Sequence, residues 1–330
     1  MIIHAKRATV YAVAESAPGT AIADASLFLA ANVFAQNQDI TFETKPQLFR
    51  RQPDGPSLQS IASVAGQIPA TMKFRHRAFT SGSAGTAPSY GLLLKACYAS
   101  ETVAGATSVT YAHSENQQTF LTMGIEWLSE DGTYTYRRVL KGARGNAKLM
   151  AAKIGDPFMW EETFSGTFVV TAGIASVTPV ASFAYPDEVA NGVRFMQFQS
   201  PSGIFLRQCD SFELDFGQSV EMATDTVDAS GLLYGMLAGT DPTLKLGFRM
   251  VTSATHDDLD DFIKGALLGV SAVTFGTVAG KILTFTTGDS AQFAGLSYKA
   301  IGAAAGWEAT IQLNRTATGS ASNGWSLAFK

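Results

Sequence analysis

One pattern of alternating residues occurs twice in this chain, and it limits the folds that the sequence can adopt. The segment ATMKFRHRA (70–78) alternates small or apolar residues with basic ones, and PTLKLGFRM (242–250) repeats the pattern half a chain later. Because successive side chains of a β-strand point to opposite faces of the sheet, each segment predicts a strand with one packed face and one charged face. We therefore expect antiparallel sheets that are solvated on one side.

The two segments belong to an ordered series of matches between the halves of the chain. The preceding strands, ITFETK (40–45) and FELDFG (212–217), have starting positions that differ by 172 (212 − 40 = 172). The strand cores TMKF (71–74) and TLKL (243–246) have the same offset (243 − 71 = 172). Two strands with the same offset between the halves favour an internal duplication.

Three later matches keep the same order with slowly decreasing offsets. Lys95 and Lys264 lie in two short apolar segments with helical character, at an offset of 169 (264 − 95 = 169). The strand starts SVTY (108–111) and AVTF (272–275) have an offset of 164 (272 − 108 = 164). We align 136–148 with 298–310, at an offset of 162 (298 − 136 = 162). A constant order with small changes in offset is typical of a duplication with insertions and deletions in its loops.

The alternation assigns side chains of the repeated strands to faces. The packed faces are predicted to hold Met72, Phe74, His76 and Ala78 in the first strand and Leu244, Leu246, Phe248 and Met250 in the second. The opposite faces, on strands that we predict to join subunits, hold Thr71, Lys73, Arg75, Arg77, Thr243, Lys245 and Arg249. Carboxylates of the preceding strands, such as Glu43 and Glu213, are expected beside these basic groups. Such exposed pairs contribute only ~0.2–1 kcal/mol each, so they set register more than stability.

Sparse charge and abundant small residues favour short strands over long helices. Charged residues make up 16% of the 330 residues, and 31 residues are glycine. No segment keeps a helical period over many turns, so we expect a mainly β fold. The formal net charge of −4 gives no basic field that would attract nucleic acid. Specific binding of a duplex is therefore disfavoured.

The sequence also bears on the compartment in which the protein is made. No apolar run approaches the ~18 residues of a membrane-spanning helix, so we expect no membrane insertion. The N-terminus lacks the apolar core of a signal peptide. The two cysteines, Cys97 and Cys209, lie where buried free thiols are common. We therefore expect no disulfide and assembly in a reducing cytoplasm.

Composition shifts divide the chain into four parts. We predict an N-terminal arm (1–38), a first domain (39–180), a linker (181–205) and a second domain (206–330). The linker is placed where proline and glycine interrupt the strand patterns.

Long or glycine-rich segments between strands are candidates for contacts between subunits. The loops 50–69 and 221–242 separate the first two strands of each domain, and we expect them to contact stacked subunits. The segment KGARGNAK (141–148) favours a turn or contact loop, because it lacks the GxxxxGK[ST] arrangement of a phosphate-binding loop. The candidate contact residues are Arg50, Arg51, Asp54, Lys141, Arg144 and Asn146.

Catalytic and metal-binding patterns are weak. The acidic segment ATHDDLDDF (254–262) has one histidine and lacks the central glycine and terminal glutamate of a calcium loop. It favours the start of a helix with Thr255 as its cap and aspartates in the first turn. The four histidines are scattered without the spacing of a metal site or a catalytic triad. We expect no cofactor, no metal ligand and no enzymatic activity.

Four stretches resemble the tail tube proteins of long-tailed, non-contractile bacteriophages. The order of motifs is an early E-x-x-x-G-T, then G-x-A-P-x-x-G-L-L-x-x-A-C, then G-A-R-G, then G-x-P with a following F-x-G. The resemblance covers most of residues 1–222 and is weaker over the last hundred. The stretches that carry it are 12–33, 80–100, 139–169 and 209–222.

The resemblance implies a fold and a set of partners. Family subunits are small β-sandwiches with a flanking α-helix, whose sheets join edge to edge into a multi-subunit β-barrel ring. Rings stack into a hollow tail tube of the virion, which holds a tape measure protein and later conducts double-stranded DNA into the host. Tail terminator and distal tail proteins close its ends. Six domains per ring are usual, so two tandem domains per chain imply a ring of three chains. The second copy departs from the first, being rich in glycine and alanine where the first has KGARGNAK.

Two other classes remain open. A tail terminator or a distal tail or baseplate protein would have a related fold and stop at one ring. A carbohydrate-binding β-sandwich would be a monomer with clustered aromatic residues, whereas the four tryptophans are dispersed along this sequence.

Overall fold

The structure is a computed structural model that contains side chains. It describes residues 3–36, 38–46, 48–51, 61–65, 68–153, 155–169, 174–175, 194–200, 203–224, 232–250, 257–314 and 324–330. Over these residues the fold is mainly β, with three short helices and antiparallel sheets. This confirms the coarse prediction of a mainly β, antiparallel fold.

The described strands range from two to 17 residues, and the described helices have at most six. The helices are α1 (Asp24–Leu27), α2 (Gly91–Ala96) and α3 (Asp258–Ile263), with a 3₁₀ turn at Ala30–Asn32. The strands are β1 (Ile3–Ala14), β2 (Val33–Gln36), β3 (Gln38–Thr44), β4 (Leu48–Arg51), β5 (Ile61–Ala65), β6 (Pro69–Arg77), β7 (Ala99–Ala104), β8 (Ser108–His113), β9 (Leu121–Ser129), β10 (Thr135–Ala151), β11 (Met159–Val169), β12 (Ile174–Ala175), β13 (Arg194–Ser200), β14 (Gly203–Asp215), β15 (Gln218–Thr224), β16 (Leu232–Thr240), β17 (Thr243–Arg249), β18 (Leu267–Leu268), β19 (Ala272–Phe275), β20 (Leu283–Thr287), β21 (Ser290–Ile301), β22 (Ala304–Asn314) and β23 (Trp325–Phe329).

The first half of the chain builds a sheet around the long strand β10. Its strands follow in the order β2–β1–β9–β10–β11–β6–β3, all antiparallel. The second half builds the series β14–β17–β22–β21–β18. The two series meet where the C-terminal end of β10 pairs with the C-terminal end of β14. One layer of paired strands therefore runs through both halves.

A second layer also crosses from one half to the other. Its strands follow in the order β7–β8–β23–β20–β19–β13, and β8 of the first half pairs with β23 at the end of the second. Aromatic rings join the layers: the ring centroid of Phe212 on β14 lies 5.4 Å from that of Phe275 and 5.6 Å from that of Phe285. The buried core is continuous over the two halves, because Trp160 of the first half packs against Phe216 of the second.

The alternation in the sequence sets the burial of the two repeated strands. Met72, Phe74 and His76 of β6 are buried, as are Leu244 and Leu246 of β17. The predicted packed faces are thereby confirmed along the paired part of each strand.

Two short hairpins extend from the layers. The connection between β3 and β6 contains the hairpin β4–β5, and the connection between β14 and β17 contains the hairpin β15–β16. The sequence interpretation treated both connections as loops. The predicted contact residues Arg50 and Arg51 lie in β4, and Asp54 lies outside the described residues.

The N-terminal segment lies inside the fold. β1 pairs with β2 on one edge and with β9 on the other, and Val10 and Tyr11 are buried. A strand with both edges paired and buried side chains is part of the sheet, so residues 3–14 do not form an arm outside it. Of the predicted linker, residues 194–200 form β13, and β14 starts at Gly203; residues 181–193 lie outside the described part.

The glycine-rich segment 141–148 is a strand, which corrects the prediction of a turn or contact loop. Lys141, Arg144 and Asn146 all lie in β10, a strand of 17 residues. Gly142 has φ +60° at a bulge of this strand, and a Cβ at Gly145 would lie 2.2 Å from the Thr163 carbonyl oxygen. The glycines thus permit a bulge and a close strand contact, where the sequence suggested a chain reversal.

Helix α3 begins close to the predicted position with a different cap. Asp257 is the N-cap, and its carboxylate accepts a hydrogen bond of 2.9 Å from the Leu259 backbone N–H. Thr255, the cap that the sequence suggested, lies outside the described residues.

Candidate functional site

The pairing of the two halves with each other is the feature that points to a function. Eight strands follow in the order β3–β6–β11–β10–β14–β17–β22–β21, four from each half. We call this series the eight-strand layer, and we call the pairing of β10 with β14 the internal junction. The last strand of the first set joins the first strand of the second set, so backbone pairing connects the two halves within one chain.

The first two strands of each set pair in the same register. In the first half, Thr41 lies opposite Lys73, and in the second half Glu213 lies opposite Lys245. Adding 172 to both numbers of the first pair gives the second pair (41 + 172 = 213; 73 + 172 = 245). The offset found in the sequence therefore reproduces the pairing of the structure.

The third strands match through a motif that the sequence interpretation missed. WEET (160–163) lies in β11 and WEAT (307–310) lies in β22, at an offset of 147 (307 − 160 = 147). Thr163 lies opposite Lys73, as Thr310 lies opposite Lys245. Three identical residues in four are visible in the sequence, whereas our sequence alignment pairs 298–310 with 136–148.

The fourth strands complete the match. Asn146 on β10 and Gly295 on β21 lie opposite Thr163 and Thr310, respectively, and each strand has a bulge on the N-terminal side of this pair, before Arg144 in β10 and before Gly295 in β21. The segment 136–148 lies within β10, whereas 298–310 crosses the turn between β21 and β22. The fifth sequence match is corrected accordingly: β10 corresponds to β21, and β11 to β22.

The internal junction combines buried apolar contacts with a network of polar ones. Leu149 lies opposite Leu214, and both are fully buried. Lys148 lies opposite Asp215, with its Nζ 2.8 Å from a carboxylate oxygen. Asn146 Nδ2 donates a 2.7 Å hydrogen bond to Asp215 and its Oδ1 accepts one of 2.9 Å from the Gln218 backbone N–H. The apolar pair excludes water while the polar groups fix the register.

The electrostatics of the junction follow from these contacts. Burial alone would raise the pKa of Asp215, but hydrogen bonds from Asn146 and Lys148 outweigh burial and hold the pKa below its usual value. The hydrogen bond to Asp215 raises the pKa of Lys148. Both shifts favour the charged forms, so the pair is ionised at neutral pH.

The hairpin β15–β16 of the second half also packs against the first half, next to the internal junction. Tyr234 of the hairpin packs on Phe120 of the first half, with ring centroids 4.9 Å apart. The Arg144 guanidinium lies over the rings of Tyr98 and Phe120, 3.5 and 4.7 Å from their centroids. A Cβ at Gly142 would lie 2.6 Å from the Leu233 carbonyl oxygen, so only glycine allows this approach.

The outer strands of the eight-strand layer have no such cover in the described part of the chain. There, β3 pairs only with β6, and β21 pairs with β22 along its length but with β18 only at Ala291 and Gln292. Tyr298, which corresponds to the fully buried Leu149, is 67% exposed. We call the backbone of β3 and of β21 from Ser297 to Ile301 the two open edges.

The charged residues of β6 and β17 lie on the polar face of the eight-strand layer. Both edges of each strand are already paired within the chain, so these strands offer no further backbone pairing. Lys73 Nζ lies 2.9 Å from a carboxylate oxygen of Glu161, and Lys245 Nζ lies 3.4 Å from one of Glu213. The predicted neighbourhood is confirmed for Glu213 and Lys245, whereas in the first half Lys73 pairs with Glu161 of β11 and Glu43 lies beside Lys45. The predicted residues on this face are Thr71, Lys73, Arg75, Arg77, Thr243, Lys245 and Arg249.

The acidic segment at α3 and the buried histidine have structural contacts. Arg207 holds Asp258 through two hydrogen bonds of 3.2 and 3.0 Å, and Lys264 Nζ lies 2.6 Å from Asp260. His76 Nε2 lies 3.5 Å from a carboxylate oxygen of Glu162 in the core. Within the described ranges, no three histidines, cysteines or acids group as metal ligands.

Among the described residues, no helix is both long enough and apolar enough to cross a membrane. No protein-family model matches this sequence, and no curated protein sequence matches it significantly.

Proposed function

We propose that this protein is a structural subunit of a hollow phage tail tube, in which chains join edge to edge into rings and rings stack. The observation that carries the proposal is the internal junction. One chain joins two four-strand sets through backbone pairing, and the same two kinds of edge remain open at the ends of the eight-strand layer. Unpaired sheet edges favour pairing with another chain, and a closed ring removes them.

The number of strands supports a ring of three chains. Closing the eight strands of one chain would leave an interior filled by side chains. Three chains would supply about 24 strands, which at ~4.8 Å spacing and ~40° tilt give a backbone diameter of roughly 48 Å. A ring of this size has an open lumen, as a conduit for double-stranded DNA and a tape measure protein requires.

The polar face of the eight-strand layer is suited to line this lumen. Its opposite face packs on the second layer, so the polar face is the one left for solvent. Lys148 and Lys245 pair there with Asp215 and Glu213. Phosphate contact would have to compete with these ion pairs, so DNA binds weakly and passes without a strong hold.

The proposal is tested by the size and shape of the assembled protein. The chain has a mass of 34.9 kDa, so a ring of three has a mass of about 105 kDa. We expect native mass measurement to give this value or multiples of it, and negative-stain micrographs to show stacked rings with a central hole. Six chains per ring would contradict the trimer, and a stable monomer at high concentration would contradict the assembly.

The same images separate the alternative classes. A tail terminator or baseplate ring stops at a single ring, whereas a tube protein forms longer stacks as its concentration rises. A carbohydrate-binding module would remain monomeric and bind glycans. Burial of Trp160 and Trp325 gives that class no support, because neither ring is available to stack on a sugar.

A further inference from the structure

We infer that the open edge of β21 pairs with β3 of a second copy of this chain in the register of the internal junction. This inference rests on the proposed ring and specifies which residues meet across its intermolecular contacts. Ser297 is placed opposite Glu43, Tyr298 opposite Phe42, Lys299 opposite Thr41 and Ala300 opposite Ile40.

The register follows from two correspondences that the structure provides. Strand β14 corresponds to β3 at an offset of 172, so Asp215 corresponds to Glu43 (215 − 172 = 43) and Leu214 to Phe42. Strand β10 corresponds to β21 at an offset of 149 after the bulge. Lys148 lies opposite Glu161 and Ser297 opposite Glu308, so Lys148 corresponds to Ser297 (148 + 149 = 297). The pairing of Lys148 with Asp215 then maps onto Ser297 with Glu43.

The side chains at the open edges fit this pairing. Tyr298 and Phe42 share the core-facing parity of Leu149 and Leu214, and Phe42 already packs on Phe168 with ring centroids 6.0 Å apart. Tyr298 is 67% exposed in the single chain. Pairing the edges brings the two aromatic side chains together and removes their surface from water.

Two exposed apolar side chains lie on the elements that pack along the N-terminal part of β21, before its open edge. Leu267 of β18, which pairs with β21, is 53% exposed, and Ile263 at the end of α3 is 72% exposed. The corresponding helix of the first half, α2, has Leu93 and Leu94 fully buried. Large exposed apolar residues next to an unpaired strand edge are typical of a surface that another chain covers. Strand β21 corresponds to β10, and β3 corresponds to β14. Because β10 pairs with β14 within one chain, β3 of a second copy is the partner that fits the open edge of β21.

The register is tested by cysteine pairs in the full-length protein, oxidised with copper phenanthroline in air. We expect Glu43→Cys with Ser297→Cys, or Phe42→Cys with Tyr298→Cys, to give covalent dimers and circular trimers on non-reducing gels. The two designs sample both types of antiparallel pair, which differ in the distance between opposite side chains. The native Cys97 and Cys209 are buried and stay in all variants, and each single substitution serves as a control.

Two further variants make the result decisive. Lys148→Cys with Asp215→Cys is expected to form a bond within one chain, which shows that this pair geometry can be oxidised. Glu43→Cys with Tyr298→Cys places the thiols on opposite faces of the layer and is expected to give no cross-link. If rings form but only this slipped pair cross-links, or if neither in-register pair does while the internal pair does, the register is overturned and the ring stands. If the unmodified protein forms no rings, the proposed function fails with it.

Discussion

The internal junction and the open edges involve corresponding strands, which are paired at the junction and unpaired at the edges within the described residues. At the junction, Leu149 is fully buried and Lys148 is paired with Asp215. At the open edge of β21, Tyr298 is 67% exposed, and Ser297 occupies the position that corresponds to Lys148. The alternating pattern of a strand therefore does not by itself determine whether its side chains are buried. What buries a strand of this type is the neighbour that pairs with its outer edge.

The two halves also differ in what lies beyond β10 and β21. The first half adds β9, β1 and β2, whereas β21 is followed only by the two-residue strand β18 within the described part. The first half is therefore the more completely covered of the two, and its N-terminal strand is part of that cover.

The largest expected effect is from removing β1. Deleting residues 1–14 takes Val10 and Tyr11 out of the core and exposes the edge of β9, because β1 is the strand that covers it. We expect loss of cooperative thermal unfolding, measured by circular dichroism, and not a selective loss of stacking. A truncated chain that unfolds cooperatively at the original temperature would show that β1 is dispensable.

A matched pair of alanine substitutions separates the completed contact from the exposed one. Leu214→Ala leaves a cavity in the buried junction and is expected to lower the free energy of unfolding by about 2–5 kcal/mol. The corresponding change, Phe42→Ala, should cost the isolated chain less than half of that but reduce the fraction of chains in rings. Urea unfolding measures the first quantity and size-exclusion chromatography measures the second. Equal losses of chain stability in the two variants would contradict the difference in burial between the internal junction and the open edge of β3.

Acid should weaken the internal junction in a defined pH range. The folded-state pKa of Asp215 lies below its unfolded value of about 3.9, so its contribution is present above pH ~4 and is lost as the pH falls through the folded pKa. We expect Asp215→Asn to be less stable than the natural chain at pH 6, with the difference shrinking toward pH 2. Urea unfolding at both pH values checks this, and a difference that grows on acidification would contradict it.

The smallest expected effect is a gain at the open edge. Ser297→Lys places an ammonium group opposite Glu43 of the second copy, as Lys148 lies opposite Asp215, and a solvent-exposed ion pair contributes ~0.2–1 kcal/mol. We expect ring dissociation on dilution to shift to a lower concentration by a factor of about 1.5 to 5 per contact. Lys148→Ser is the reciprocal control and should weaken chain stability with little effect on the ring. A ring that dissociates at higher concentration in the lysine variant would argue against the register.

Part of this architecture could be predicted from the sequence because it depends on local alternation. The packed faces of β6 and β17 follow from side-chain periodicity, and the strand registers agree both with these faces and with the constant offset between the first two strands of each half. The correspondence of the third strands, β11 and β22, is visible as WEET and WEAT, but the alignment of 136–148 with 298–310 misses it because it pairs the glycine-rich segment with the wrong strand. The interpretation of 141–148 as a loop failed because glycine at a bulge and glycine in a turn give the same local signal.

The junction itself could not be predicted, because it joins residues that are far apart in the chain. Nothing near Asp215 in the sequence indicates that Lys148 will be its partner, and the pairing of β8 with β23 spans more than two hundred residues. Such contacts are set by the shape of the assembled layers. The buried position of β1 is of the same kind, since its partner β9 begins more than a hundred residues later.

The covalent link between the two halves also restricts the number of domains that a closed ring can contain. In the proposed ring, every chain occupies two consecutive places around the circumference, so such a ring holds an even number of them. Half of the seams are made during folding, at an effective concentration that no dilution changes, and only the other half require collisions between molecules. A ring that opens must therefore open at a seam between molecules, and it loses its members two places at a time.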